Sequence, residues 1–294
     1  MHLKVGTRSS KLALAQTEIV ISRLTAMGIS AEKVMITTQG DATTGVPLHE
    51  IGGQGVFVRA LDDAILSGEI DCAVHSMKDI PAYRPSGLFT AAVLKRDPPT
   101  DYLACTKDLD DVEIIGTSST RRRAQLLRHD PDLAIRDLRG NVDTRIRKLN
   151  AGEYDAIVLA EAGLIRLSID IPGERLPADK FVPSPNQGTI AIVSRADPSL
   201  MEIFSALDDP ATRTDVAAER VVMEQLGGGC FTPLGIYCRS GHLIAEVLSI
   251  DGSRTQRIEV DVPSIESARE QGRILRNRAD DLIAEAYAAL KVRT

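Results

Sequence analysis

The sequence predicts an α/β protein of two similarly built lobes followed by a small third domain of α+β type. Three observations predict it. Glu113-Ile-Ile-Gly-Thr-Ser-Ser-Thr-Arg121 repeats the grammar of Leu3-Lys-Val-Gly-Thr-Arg-Ser-Ser-Lys11: strand, Gly-Thr, hydroxyls, then a basic residue opening a helix. Gly152-Glu-Tyr-Asp-Ala-Ile-Val-Leu-Ala160 echoes Gly68-Glu-Ile-Asp-Cys-Ala-Val-His-Ser76, in the same chain order. Beyond Ala211 the pattern changes to a helix, three strands and a closing helix, a layout of strands and helices run in blocks.

Length and composition bound the answer. A chain of 294 residues holds two or three domains and a substantial core. Hydrophobic content of 43% and charged content of 26% belong to an ordinary globular chain. A net charge of −6 argues against a molecule built to coat nucleic acid or an anionic membrane. No apolar run reaches roughly 18 residues, and the N-terminus is strand-like rather than a signal peptide, so a cytoplasmic protein is expected. The four cysteines (Cys72, Cys105, Cys230, Cys238) lie far apart with no C-x-x-C pair, which indicates neither a zinc site nor a disulfide framework.

Taken in order, Leu3 to Gly6 reads as the first strand. An amphipathic helix then runs to about Met27, capped by Ser9 or Ser10. Its N-terminus, with Arg8 beside it, suits an anion. Val34 to Thr38 reads as a second strand, and Gln39 to Gly55 as a long loop of the lid type. Gly55 to Ser67 resumes as a helix with Phe57, Leu61 and Ile65 on one face. Cys72 to Val74 is a short apolar run typical of a buried parallel strand, and His75, Ser76, Lys78 and Asp79 follow at its carboxyl end, where ligands bind in open α/β sheets. Lys78 and Asp79 offer one group for an anion and one for a cation or N–H donor. Phe89 to Leu94 continues this lobe, and Arg96 to Thr100 reads as a linker.

The second lobe carries a change of charge. Between Gly116 and Lys148 nine positive residues stand against four negative, an excess of five in an acidic chain. Arg121 and Arg122 open a helix, where the dipole disfavours cations, so their placement calls for an anion. Arg139-Gly-Asn-Val-Asp-Thr-Arg145 follows a strand predicted over Leu133 to Leu138. Thr189 to Ser194 is a strand expected to return to the first lobe's sheet. In the last domain a helix (Ala211 to Leu226) ends at Gly227-Gly-Gly-Cys230. Strands follow at about Leu234 to Arg239, His242 to Ile250 and Thr255 to Val262, then one long helix from Ser264 to Leu290. Cys230 stands in a glycine-rich loop rather than an apolar run. Two readings stay open there: a stray loop cysteine, or an exposed thiol for covalent work.

Together, Thr7-Arg-Ser-Ser10, Gly52-Gly-Gln-Gly-Val-Phe57, Ala73-Val-His-Ser-Met-Lys-Asp79, Gly116-Thr-Ser-Ser-Thr-Arg-Arg122, Leu138-Arg-Gly-Asn-Val142, Ala162-Gly-Leu164 with Arg166, and Gly228-Gly-Cys230 resemble the porphobilinogen deaminase (hydroxymethylbilane synthase) family along the whole chain. The resemblance implies two periplasmic-binding-protein-like lobes, 1–95 with 188–207 and 100–183, and a cofactor-attachment domain over 211–294. It implies a monomeric transferase of tetrapyrrole biosynthesis that adds four porphobilinogens head to tail with loss of ammonia. It also implies a dipyrromethane cofactor held by Cys230 through a thioether. By position Asp79 matches the catalytic carboxylate. Lys78, Asp79, Ser119, Arg121, Arg122, Arg139 and Gly140 match cofactor-binding groups, and Arg8, Ser10, Arg145 and Arg166 match substrate-binding ones. No metal is implied.

The chemistry agrees, because each pyrrole brings two carboxylates and Arg supplies forked donors for them. A fixed carboxylate stabilises the positive charge that develops on a pyrrole nitrogen as ammonia leaves. The chain departs from the family's common bacterial form at Gln54, Arg59, Pro185 and Asn186. Two rival functions are weaker. A two-lobed anion-binding protein needs no reactive thiol, and a nucleic-acid binder would want aromatic platforms that Gly116 to Lys148 lacks.

Overall fold

The computed structural model describes residues 2–37, 56–82, 84–227 and 231–291. The loop predicted over Gln39 to Gly55, with Gln54, and the Gly228-Gly-Cys230 stretch lie outside them, as does the side chain of Phe57. The chain runs β1 (His2–Thr7), α1 (Lys11–Ala26), β2 (Ser30–Met35), α2 (Val56–Ser67), β3 (Cys72–Ser76) and β4 (Leu88–Val93). Next come β5 (Asp101–Cys105), β6 (Ile114–Gly116), α3 (Thr120–His129), β7 (Ala134–Arg136), α4 (Val142–Asn150), β8 (Ala156–Ala160), α5 (Glu161–Arg166) and β9 (Gly173–Leu176). Then follow β10 (Ile190–Arg195), α6 (Pro198–Ser205) and α7 (Pro210–Leu226). The chain closes with β11 (Leu234–Arg239), β12 (His242–Leu248), β13 (Thr255–Asp261), α8 (Ile265–Arg278) and α9 (Asp280–Lys291).

These strands form three sheets, β2-β1-β3-β10-β4, β7-β6-β8-β5-β9 and β11-β12-β13. The two large sheets share one plan. In each, three parallel strands (β2-β1-β3 and β7-β6-β8) are followed by a strand antiparallel to both of its neighbours. That strand, β10 or β5, is the first after the chain crosses from the other lobe. The return of β10 to the first sheet is the one the sequence predicts. Registers agree as well: Val5 and Gly6 pair with Cys72 and Ala73, and Ile115 and Gly116 with Ala156 and Ile157.

Side chains explain why the two plans coincide. Asp71 accepts from the backbone N–H of Lys4 at 2.8 Å, and Asp155 accepts from that of Ile114 at 2.9 Å. Each aspartate thereby pins the start of one parallel strand to its neighbour. The first sheet's core includes Leu3, Val5, Val20, Leu24, Val74, Ile192 and Phe204. The second sheet has apolar clusters around Ile115, Val158 and Phe181, and around Leu138, Leu149 and Ile157. The third sheet packs on α7, α8 and α9 through Val222, Ile236, Leu243, Leu275 and Ile283. Losing a buried Leu or Ile from such a core to Ala costs roughly 2–5 kcal/mol.

Three expectations about single elements need correction. The second strand is Ser30–Met35, earlier than Val34 to Thr38, because it is an edge strand whose residues are mostly exposed and carry no apolar run. The strand of the second lobe is Ala134–Arg136, shorter than Leu133 to Leu138, since Leu138 turns inward as part of the loop core. The closing helix is two helices. Ala279, fully buried, receives no continuation of the helical backbone (φ −106°, ψ 14°), and its carbonyl starts the next helix by accepting from Ile283. By contacts the chain divides into two compact units, Met1–Asp97 with Gly188–Arg213 and Pro98–Gln187 with Thr214–Thr294. The second lobe and the C-terminal sheet therefore fall in one unit.

Glu246 of β12 shows what joins them. It is fully buried and accepts from Gln125 and Arg128 of α3 at 2.8 Å each, and from Arg257 of β13 at 3.3 Å. Gly252 (φ 74°) lies against the backbone of Ala124, with no room for a side chain.

Candidate functional site

In the first unit the predicted residues gather at the carboxyl ends of β1 and β3. Ser10 is the N-cap of α1 and its hydroxyl accepts from the Ala13 N–H at 3.3 Å. Beyond β3 the chain makes one 3-10 turn, Met77–Asp79, anchored where the Met77 N–H donates to the Thr189 carbonyl at 2.9 Å. The turn leaves Asp79 exposed and Lys78 half-buried. Arg8, Ser10, Gln16, His75, Ser76 and Asp79 line one small pocket. Gln16, buried on α1, closes it by donating to the Ser76 hydroxyl at 2.7 Å. His75 is buried, and burial together with Arg84 and Arg8 pushes its pKa down to about 3, so the imidazole is neutral. Its Nε2 atom has no hydrogen-bond partner. The pocket therefore presents a basic residue, hydroxyls and a free-standing carboxylate side by side.

In the second unit the site is a buried ionic cluster. Ser119 caps α3, accepting from the Arg122 N–H at 3.4 Å. Arg121 and Arg122 in the first turn are 5% and 6% exposed, and both reach Asp101, the first residue of β5, which is 0% exposed. Arg121 Nη1 donates to Asp101 Oδ2 at 2.8 Å, to Gln125 Oε1 at 2.9 Å and to the Val182 carbonyl at 2.9 Å. Arg122 Nη2 and Nε donate to Asp101 Oδ1 at 2.6 and 3.1 Å, and its Nη1 donates to the Val158 carbonyl at 2.7 Å. Burial alone would raise the pKa of Asp101, but the two guanidinium groups hold it well below the usual carboxylate range.

The placement of cations at a helix start thus has an answer inside the fold. The anion that the sequence calls for opposite Arg121 and Arg122 is, within the fold, Asp101. Breaking a buried pair of this kind by removing one partner costs roughly 3–5 kcal/mol.

Arg145 of α4 extends the cluster. Its Nε donates to the Gly140 carbonyl at 2.8 Å, and burial, then the charge of Arg122, lowers its pKa to about 10. Gly140 adopts φ 111°, and a side chain there would strike Thr144. The loop is tied to the end of β6 where Ser118 donates to the Leu138 carbonyl at 2.9 Å. Arg139 is exposed at the rim, and Arg166 is half-buried at the last turn of α5. Counting Arg121, Arg122 and Arg145 against Asp101, three positive charges meet one negative, an excess of two.

Sequence reasoning missed Asp101, Gln187, Gln16 and the neutral state of His75. A signal existed only for Asp101, an acid just past the linker and opening an apolar strand. Gln187 Nε2 donates to Asp101 Oδ1 at 2.9 Å and to the Pro99 carbonyl at 2.7 Å. Cys72, Cys105 and Cys238 are buried and form no disulfide, and burial pushes the thiols of Cys72 and Cys105 up. Among the described residues no group of three His, Cys, Asp or Glu side chains is arranged to hold a metal.

Comparison with known proteins adds a separate line. Residues 3–202 match the family model described as porphobilinogen deaminase, dipyromethane cofactor binding domain, and residues 213–281 match that for the porphobilinogen deaminase C-terminal domain. A probable porphobilinogen deaminase of Methanosarcina acetivorans is 49% identical over 296 residues, covering 96% of this chain and 93% of its own. A porphobilinogen deaminase of Rubrobacter xylanophilus is 46% identical over 262 residues, covering 86% of each. Among solved structures, the periplasmic molybdate-binding protein of Azotobacter vinelandii is 15% identical with a TM-score of 0.41, covering 71% of this chain and 94% of its own.

Proposed function

The chain belongs to the porphobilinogen deaminase family, and from that premise we propose how its residues divide the work. The protein is a hydroxymethylbilane synthase, a transferase that joins four porphobilinogen units head to tail with loss of ammonia in tetrapyrrole biosynthesis. The observation that carries the proposed division is the arginine cluster of the second lobe, where Arg121 and Arg122 share the single carboxylate of Asp101 and Arg145 lies close enough to feel the charge of Arg122. An excess of two positive charges in a largely buried place suits a ligand that brings carboxylates in pairs, as every pyrrole unit of this reaction does.

The dipyrromethane group fits that cluster. Ser119, Arg121, Arg122, Arg139 and the Gly140 backbone would hold its acetate and propionate side chains, with Lys78 and Asp79 on the first lobe. When bound, the group supplies the nucleophilic pyrrole carbon to which the first substrate unit is joined. Arg8, Ser10, Arg145 and Arg166 are assigned to the carboxylates of incoming porphobilinogen. Asp79 meets the positive charge that develops on the substrate's pyrrole nitrogen as ammonia departs, and receives or returns a proton as the new bond forms. The neutral imidazole of His75 adds no competing cation to that pocket.

Covalent attachment is assigned to Cys230 through a thioether. The motif supports it, and so does the state of the other three thiols, all buried in strands. The three sheets support domains at 1–95 with 188–207, 100–183 and 211–294. A cytoplasmic monomer completes the reading. No helix among the described residues is long and apolar enough to cross a membrane. Intact mass tests the attachment. The purified protein should exceed its sequence mass by two pyrrole units, and the Cys230→Ser variant should lose both that excess and nearly all activity. A pyrrole mass retained on the serine variant would sink the assignment.

A further inference from the structure

We propose that Asp101 is a positioning residue for this reaction, holding Arg121 and Arg122 in place for ligand carboxylates while Gln187 holds Asp101. The inference rests on the reading above, in which those arginines bind carboxylates. Each oxygen of Asp101 serves a different arginine. Oδ2 takes Arg121, whereas Oδ1 takes Arg122 through two nitrogens and Gln187 through a third bond. Gln187 is a neutral donor, so it fixes the carboxylate without cancelling charge that the two cations need. Its second hydrogen bond, to the Pro99 carbonyl, anchors it to the segment leading into β5.

A plain ion pair needed only for folding is the competing explanation, and the first lobe argues against it. Counted from the helix N-caps, Ser10 and Ser119, the positions of Arg121 and Arg122 are filled there by Leu12 and Ala13. The first strand after the crossing pairs its leading residue with the last residue of its neighbour in both lobes. In the second lobe that residue is Asp101, opposite Ala160, and in the first it is Ile190, opposite Ser76. The same architecture thus closes with Leu12, Ala13 and Ile190 at the three places. Lys11, which the strand echo sets against Arg121, is exposed, so the first lobe completes the same plan with no buried charge at these places. What the charged trio adds is two guanidinium groups already oriented when a carboxylate arrives, which spares the ligand the cost of ordering them.

The test uses the full-length enzyme and two variants, Asp101→Asn and Gln187→Met. Three quantities are read: the fraction carrying the two-pyrrole mass, the Tm, and KM and kcat for porphobilinogen on the cofactor-bearing fraction. Asp101→Asn should cut the cofactor-bearing fraction or raise KM by at least about tenfold, the scale of one charge-assisted contact. Gln187→Met removes only a neutral donor. It should keep the cofactor and a near-normal Tm while raising KM by about threefold. Restoring a carboxylate with Asp101→Glu should recover part of the loss. A lowered Tm with normal cofactor loading and normal KM in Asp101→Asn would reduce the residue to a structural pair and overturn the proposal. If Asp101→Asn fails to fold, an unchanged KM in Gln187→Met overturns it alone. A wild-type mass lacking any pyrrole addition would instead overturn the attachment reading.

Discussion

The two large lobes are the same construction carrying opposite chemistry at the same edge. What they share sets the pairing of β1 with β3 and of β6 with β8. Gly6 and Gly116, Ile70 and Tyr154, and Asp71 and Asp155 occupy matching places, with matching hydrogen bonds to Lys4 and Ile114. What differs sits where strands end. His75, Lys78 and Asp79 follow or close β3, whereas the matching positions at β8 are Leu159, Ala162 and Gly163. Counted from the helix N-caps and from the strand pairing, Leu12, Ala13 and Ile190 stand where the second lobe has Arg121, Arg122 and Asp101. Positions that set register are kept because a change there moves the sheet. Positions at the carboxyl edge diverge as matched sets, because that is where ligands bind in such sheets and each buried charge there needs its partner. On the proposed assignment, the first lobe supplies the acid Asp79 and the second the buried arginines that hold the cofactor's carboxylates.

The sharpest way to break this comparison is to remove the acid. Asp79→Asn keeps size and shape while deleting the charge, and the second lobe has only Gly163 at the matching place. Losing an electrostatic group of this type costs about 10²–10³ in rate, and losing a proton carrier about 10²–10⁴. Turnover should therefore fall by at least about 10² in a folded enzyme. Asp79→Glu should do less harm. Single-turnover ammonia release, with the cofactor confirmed by mass, decides the matter. A rate within a few-fold of wild type would return Asp79 to loop structure and leave the lobes chemically alike.

How much of this was legible in the sequence follows from the same division. The two echoes could be read because Gly116, Asp155 and their first-lobe partners answer to backbone geometry, which restricts residue type locally. The anion faced by Arg121 and Arg122 could be inferred but not identified. Asp101 lies 20 residues upstream of Arg121, on a strand whose pairing no local pattern reveals. The edge strand β2 was misplaced for want of a buried face. The break at Ala279 was hidden because Leu275, Leu282 and Ile283 continue one apolar stripe across it. Cys230 was assigned by resemblance, since a cysteine in a glycine-rich loop is ambiguous by itself.

A second, smaller effect concerns His75, whose counterpart is Leu159. With the folded pKa depressed to about 3 from 6.5, the unfolded chain takes up a proton that the folded chain refuses. The stability this neutral imidazole contributes is present above about pH 6.5 and is lost as pH falls toward 3. The loss approaches about 1.4 kcal/mol per pH unit below the unfolded value. His242, whose pKa is raised by Asp261 and Glu259, acts with the opposite sign, so the variant is compared with wild type rather than read alone. His75→Leu installs the second lobe's residue. It should lose less stability than wild type between pH 7 and pH 5 in denaturant titrations. Parallel losses in the two proteins would mean that His75 is protonated in the fold.

The smallest expected effect tests the shared positions themselves. Gly6 and Gly116 are both crowded, but by different neighbours. A Cβ added to Gly6 would meet the terminal Cδ1 of Ile70 and, at 3.1 Å, Leu61 Cδ2. Both are ends of flexible side chains that can turn aside. A Cβ on Gly116 would meet Tyr154 at Cδ1, Cε1 and Cγ, between 2.7 and 3.0 Å. That ring cannot swing freely, because its hydroxyl donates to the Asp137 carbonyl at 2.7 Å. Overpacking of a tight site costs about 1–3 kcal/mol. Gly116→Ala should fall in that range, and Gly6→Ala below it, by about 1 kcal/mol. Tyr154→Phe cuts the ring's tether, so Gly116→Ala should cost less in that background than in wild type. Denaturant midpoints of the four variants measure both differences. Should Gly6→Ala prove the costlier single change, the identity of the contacting side chain is not what governs these sites, and the two strands tolerate crowding for a reason the matched registers do not contain.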